Sequence, residues 1–317
     1  MNIEANLKYK HHKRVKLIFN PGSGANNESP LQLMDVIKEM QALRLMPEPF
    51  LIEPDCDLKA MAQEAYLDGI RMFVVCGGDG TISSVARATF GIDCVLGIIP
   101  TGTQNNIAFS LGIPVDINKA VSFLRTGKPI RVDVGLVSCG ENTTPFIEVC
   151  SVGLVSSLFP SGDDIQHGNI AKIGDFMTTL ASSPVSDIHI LLDDKTEVKK
   201  MGHIVLITNM PYVGRHYQFG SLDAYKDGFL DVIFFSDIPK IDLVGYALKG
   251  PGIDKTEDSR IQYYKARKVQ IETKPNMPIM ADGIAIGEGL TTIEVKRRAI
   301  TVMVSQSEKI INNTISK

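Results

Sequence analysis

Apolar positions in the first third of the chain switch repeatedly between two periods. Val15-Lys16-Leu17-Ile18-Phe19 reads as a strand that ends in the turn Asn20-Pro21-Gly22-Ser23-Gly24. Leu33, Val36, Ile37, Met40 and Leu43 then recur at helical spacing, and Pro47 and Pro49 close that helix. Phe50-Leu51-Ile52 reads as a short strand, and Leu58, Met61, Ala62, Ala65 and Tyr66 mark a second amphipathic helix. Met72-Phe73-Val74-Val75-Cys76 is a continuous apolar run, as expected of a parallel strand covered on both faces. It enters Gly77-Gly78-Asp79-Gly80-Thr81, after which residues 82–90 continue as a helix; Val95-Leu96-Gly97-Ile98-Ile99 is another buried strand. This alternation predicts a doubly wound parallel sheet with helices on both faces.

After about residue 130 the pattern becomes one of period two. Arg131-Val132-Asp133-Val134-Gly135-Leu136-Val137 alternates, as do stretches near 188–192, 203–208, 229–235, 268–273, 291–296 and 300–304. The clusters Asp193-Asp194-Lys195, Lys274-Pro275-Asn276 and Arg297-Arg298 read as turns between them. The expectation is an antiparallel β-sandwich, interrupted by one helix carrying Ile170, Ile173, Met177 and Leu180 on a face. The expected domains are 1–129, completed by about 306–317, and 130–305. No low-complexity linker divides them, so they are expected to abut with the active site in the cleft between.

Composition adds bounds. A length of 317 residues suits two domains, and a formal net charge of -3 gives no global case for a nucleic-acid partner. No apolar run is long enough to span a bilayer and the start of the chain is polar, so a cytoplasmic protein is expected. Cys56, Cys76, Cys94, Cys139 and Cys150 form no C-x-x-C pair and read as reduced thiols. The basic segment Lys8-Tyr9-Lys10-His11-His12-Lys13-Arg14 suits an anionic membrane surface, but a solvated arm is the preferred reading. Oligomeric state is not legible; a homodimer is one form the sequence allows.

The sharpest chemical feature is the turn at Gly77. A buried strand stops, glycines follow, and a helix begins. Backbone N–H groups there can point at phosphate oxygens, and the helix N-terminus adds a favourable field. Thr81 can cap the helix or bond to phosphate. Asp79 would repel phosphate, so it fits a role in fixing the loop, or in facing a magnesium ion, a ribose hydroxyl or the acceptor hydroxyl. A tight strand-to-helix turn with an Asp cap is the plain alternative. The turns at Asn20, Gly77 and Gly102 follow three strands of one parallel sheet, whose carboxyl ends share one edge where ligands bind.

Asn20-Pro-Gly-Ser-Gly24, Gly77-Gly-Asp-Gly-Thr81 and Pro100-Thr-Gly-Thr-Gln-Asn-Asn106 resemble, in this order, the bacterial diacylglycerol kinase-like lipid kinase family. That family is related to sphingosine kinases and more distantly to NAD kinases. The segments from Thr208 to Gly214 and from Ala224 to Asp231, and Asp282-Gly283, extend the resemblance over nearly the whole chain. It implies a soluble ATP-dependent kinase that visits the membrane surface to phosphorylate a lipid hydroxyl such as that of diacylglycerol. Asn20, Gly77, Gly78, Asp79, Gly80, Thr81, Gly102 and Thr103 would hold ATP. Asp282 would be the general base, with Asp79 as a second catalytic carboxylate. Asp227 and the carbonyls of Ala224 and Phe229 would hold a structural Mg2+, and a further magnesium would sit on the phosphates. For both Asp227 and Asp282, an Asp-Gly turn between strands is the plain alternative. Three family acids are replaced, by Asn106, Val155 and Ile284. A non-catalytic nucleotide- or lipid-binding regulator is therefore the second expectation, and an NAD kinase-like enzyme ranks below it.

Overall fold

The computed structural model describes residues 13–23, 29–153, 185–214, 217–239, 242 and 258–306. The expected helix at 170–180, Val155, and the basic arm up to residue 12 lie outside the described residues.

The chain forms two compact units, Met1–Val132 with Ala299–Lys317, and Asp133–Arg298. The first contains β1 (Lys13–Phe19), α1 (Ser29–Ala42), β2 (Leu45–Leu51), α2 (Leu58–Leu67) and β3 (Met72–Gly77). It continues with α3 (Asp79–Ala88), β4 (Val95–Pro100), α4 (Asn106–Ser110) and α5 (Ile117–Thr126). The strands order as β2-β1-β3-β4 with every pairing parallel. Parallel strands need crossovers, and the helices supply them; α1 packs on α5, and α2 on α3.

Every residue of β3 is buried, as its unbroken apolar run requires. Leu17, Ile18, Phe19 and Phe73 are fully buried as well; each such side chain stabilises the fold by about 1.5–3 kcal/mol. Pro47 and Pro49, read as closing a helix, lie inside β2, opposite Val15 and Leu17. They are tolerated because β2 is the sheet edge, where a missing N–H breaks no ladder. Helix α5 buries Ala120, Val121 and Leu124.

The second unit is an antiparallel β-sandwich. Its elements are β5 (Lys128–Cys139), β6 (Asn142–Phe146), β7 (Val149–Gly153), β8 (Ser186–Leu192), β9 (Thr196–Thr208), β10 (Tyr212–Val213) and β11 (Tyr217–Gln218). They continue as β12 (Leu230–Ser236), β13 (Ile261–Ala266), β14 (Lys268–Lys274), β15 (Pro278–Ala281), β16 (Ile284–Glu288) and β17 (Thr291–Val304). The long β9 pairs with β8 along its first half and with β7 and β12 along its second. The core includes Phe146, Val152, Ile190, Val205, Phe234 and Ile293.

The stretches expected at 291–296 and 300–304 are one strand, β17. Arg298 takes φ 53 without ending it, and the Asp133 carboxylate accepts the Arg298 N–H at 2.6 Å. Residues Thr301 and Val302 of β17 pair in parallel with Val95 and Leu96 of β4. The unit boundaries, Val132/Asp133 and Arg298/Ala299, fall inside the continuous strands β5 and β17.

Candidate active site

In the first unit the ends of β1, β3 and β4 are stitched into one cluster. The backbone N–H of Asn20 donates to the Cys76 carbonyl, and that of Thr101 to the Gly77 carbonyl, each at 3.1 Å. Side chains repeat the pattern: Asn20 Nδ2 donates to Thr81 Oγ1 at 2.8 Å, and the hydroxyls of Ser23 and Thr101 lie 3.1 Å apart. The three polar turns thus converge, as parallel strand ends should.

Glycine is required here by close approach. A Cβ on Gly102 would lie 2.4 Å from the Gly78 Cα, and one on Gly77 would meet the Thr81 side chain at 2.6 Å. Gly80 differs, since a Cβ there meets nothing within 4 Å and its φ is not positive. The cleft beside these turns has a volume of ≈ 440 Å³. Glycines Gly78, Gly80 and Gly102 line it, with the polar side chains of Asn20, Ser23, Thr81 and Ser84 and the apolar Ile52 and Leu58. Gly77, which is buried, and Thr103, which is exposed, are both outside its lining.

Helix α3 has Gly78 as its N-cap, and no side chain caps it. The N–H groups of its first turn are therefore donors that need partners from outside the helix. Thr81 is not the cap: its hydroxyl is engaged by Asn20. Asp79 Oδ2 accepts the Asn106 N–H at 3.0 Å and Oδ1 accepts the Ile107 N–H at 2.9 Å. Of the roles weighed for Asp79, the geometry supports fixing the loop. Asn105 completes that loop in a left-handed conformation, exchanging side-chain bonds with both backbone groups of Gly102.

Ile52, Leu58 and Ser84 were not anticipated. Ile52 follows β2, which neighbours β1, so the sheet-edge rule could have found it. Ser84 lies one helical turn beyond Gly80, whose carbonyl accepts its hydroxyl at 2.8 Å.

In the second unit Asp282 and Gly283, at φ 44 and φ 79, form the tight loop joining β15 to β16. The carboxylate is held by successive backbone donors: Ile147 N–H at 2.7 Å, and Glu148 and Val149 N–H at 3.0 Å each. Three such bonds occupy most of a carboxylate's acceptor capacity. Asn209, buried at the end of β9, donates to the carbonyls of both Ile147 and Asp133 at 2.9 Å, which fixes the cradle. The neighbouring Cys150 thiol is pushed up by burial and by the Asp282 charge. Ile284, where the family pattern carries an acid, is exposed.

A divalent ion at Asp227 does not fit the groups present. Asp227 Oδ1 accepts the Phe229 N–H at 2.9 Å, while Oδ2 lies 2.6 Å from Lys265 Nζ. An ammonium already stands against the oxygen such an ion would need. Among the described residues no cluster of three or more His, Cys, Asp or Glu side chains could hold a metal. No described helix is long and apolar enough to cross a membrane.

The model of the diacylglycerol kinase catalytic domain matches residues 14–137. The model of the YegS C-terminal NAD kinase beta sandwich-like domain matches residues 175–304. The chain is 27% identical over 278 residues to a diacylglycerol kinase of Bacillus subtilis, covering 86% of this chain and 89% of the relative. It is 25% identical over 275 residues to a diacylglycerol kinase of Staphylococcus carnosus, covering 86% and 88%. A crystal structure of a diacylglycerol kinase from Bacillus anthracis shares the fold, with a TM-score of 0.71 at 20% identity, covering 94% of this chain and 98% of that one. With its catalytic-domain match followed by the sandwich match, the chain belongs to the diacylglycerol kinase-like lipid kinase family.

Proposed function

We propose that this chain transfers the γ-phosphate of ATP to a lipid hydroxyl, with diacylglycerol as the first acceptor to test. The observation that carries the nucleotide half is Gly80. It lines the cleft, is helical and has open space where a Cβ would go. Nothing among the described residues demands glycine there; a ligand approaching the backbone would. The phosphates would lie against the first turn of α3 and the Gly78–Gly102 contact, and Asn20 and Thr81 would flank them. Magnesium would come with the nucleotide and neutralise charge on the transferring group. Asp282 would take the proton of the acceptor hydroxyl.

The test is transfer of labelled γ-phosphate to diacylglycerol in mixed micelles with magnesium. Labelled phosphatidic acid is expected from the wild type and not from Asp282→Asn. Equal transfer by both proteins would sink the assignment of the base. The second reading, a nucleotide-binding regulator without turnover, is favoured by Asn106 and Ile284, which stand where the family pattern has acids. ATP binding without transfer to any lipid of a broad panel would establish it. Peripheral contact with a membrane surface follows from the lipid acceptor, and co-sedimentation with anionic vesicles measures it.

A further inference from the structure

The turn that ends at Asp227 is organised around a cation belonging to the chain itself. Strands β12 and β13 pair so that Asp231 lies directly opposite Lys265. Lys265 Nζ is 2.6 Å from Asp227 Oδ2, 2.8 Å from Ser221 Oγ and 3.8 Å from Asp231 Oδ1. The remaining oxygens face backbone donors: Asp227 Oδ1 takes the Phe229 N–H, and Asp231 Oδ2 takes the Ser221 N–H at 3.1 Å. Each carboxylate thus gives one oxygen to the backbone of the turn and turns the other toward the ammonium.

This is the arrangement a bound metal ion would produce, with one difference. A magnesium ion needs oxygens at about 2.0–2.1 Å in an octahedral shell. On Asp227 Oδ2 it would have to share its place with the lysine nitrogen. The ammonium instead offers three rotatable donors on a flexible stem: it hydrogen-bonds Asp227 Oδ2 and Ser221 Oγ and pairs with Asp231 Oδ1 by charge at 3.8 Å.

We propose that Lys265 is a tethered cation that takes the place of a divalent ion at this turn. The sandwich is thereby held without metal. Removing the ammonium leaves two carboxylate oxygens and a hydroxyl facing one point, and so opens a divalent-cation site. The proposal does not depend on the identity of the acceptor or on turnover.

The experiment is thermal unfolding of the full chain, free of nucleotide, in chelator and then in millimolar MgCl2 or CaCl2. Wild type should melt at one temperature in all three. Lys265→Met should melt lower in chelator, by about 2–4 °C for each kcal/mol lost in a unit of this size. It should recover with either cation, and the double variant Lys265→Met/Asp227→Asn should lose that response. Lys265→Arg, which keeps a cation, should melt independently of metal. If Lys265→Met fails to fold with or without metal, Lys265→Arg decides by the same criterion. The proposal is overturned if wild type or Lys265→Arg gains stability from magnesium or calcium in a way that Asp227→Asn abolishes. It is equally overturned if Lys265→Met melts like wild type and ignores both cations.

Discussion

The Asp79 carboxylate bridges two turns by accepting the backbone N–H of Asn106 at 3.0 Å, with that of Ile107 at 2.9 Å on its other oxygen. The acid of the first glycine motif is thereby engaged in placing the second. An anion can thus sit in the turn proposed to hold phosphate: its charge is directed into the start of α4. Asp79→Asn keeps one acceptor oxygen but presents an NH2 to the other N–H. The expected cost is about 1–3 kcal/mol of stability, from a donor left unpaired. Weaker ATP binding should accompany it, measured by calorimetric titration well below the melting temperature. Unchanged stability together with unchanged ATP affinity would refute the bridge.

Gly80 and Gly102 should respond to alanine in opposite ways. At Gly102 the added Cβ would lie 2.4 Å from a backbone atom, so Gly102→Ala should shift the turns apart and destabilise the first unit. At Gly80 there is space, and alanine favours helix by roughly 0.5–1 kcal/mol over glycine. Gly80→Ala should therefore raise the melting temperature and lower ATP affinity. Were ATP affinity to survive Gly80→Ala undiminished, the phosphates would lie elsewhere.

The sheet, the sandwich and the convergence of Asn20, Gly77 and Gly102 were legible in the sequence. Each follows from local rules: apolar periodicity, turn residues, and the common edge of parallel strand ends. What stayed hidden depends on partners distant in sequence. The family resemblance implies a metal at the Asp227 turn, and only the β12–β13 register places Lys265, 38 positions later, against it. The backbone cradle of Asp282 is built by residues more than 130 positions earlier, and no periodicity announces it. The Arg297-Arg298 pair looks like a turn because nothing local reveals that Asp133 holds Arg298 in a continuing strand.

Stability of the first unit should fall in alkali through Cys76. Burial pushes this thiol up to about 12 from an ordinary value of 9.0, with a hydrogen bond to Thr101 opposing part of the rise. In this interval the folded chain keeps a proton that the unfolded chain gives up. The contribution is full below about pH 9 and is lost as pH rises towards about 12, at about 1.4 kcal/mol per pH unit. Cys76→Ala removes that dependence. Its stability relative to wild type should therefore improve by about this amount per unit between pH 9 and pH 11. Denaturant titrations at three alkaline pH values measure it; a difference that does not vary with pH would mean the thiol ionises freely in the fold.

Asp282 carries the most consequential prediction, because the clamp its geometry shows and the proposed role as general base can be told apart. Three backbone N–H groups at 2.7–3.0 Å make it a clamp on residues 147–149. A general base needs the same fixed orientation and at least one acceptor position left for the substrate proton. Asp282→Asn should cost stability through the weakened clamp, by roughly 1–3 kcal/mol. If Asp282 is also the base, phosphoryl transfer should fall by about 10²–10⁴-fold, with ATP affinity retained. Far below its melting temperature the variant is almost wholly folded, so unfolding cannot account for a loss of that size. A rate that falls only in proportion to the unfolded fraction assigns Asp282 to the clamp and moves the search for the base elsewhere. A rate lost by orders of magnitude in folded protein with normal ATP binding assigns it to the chemistry.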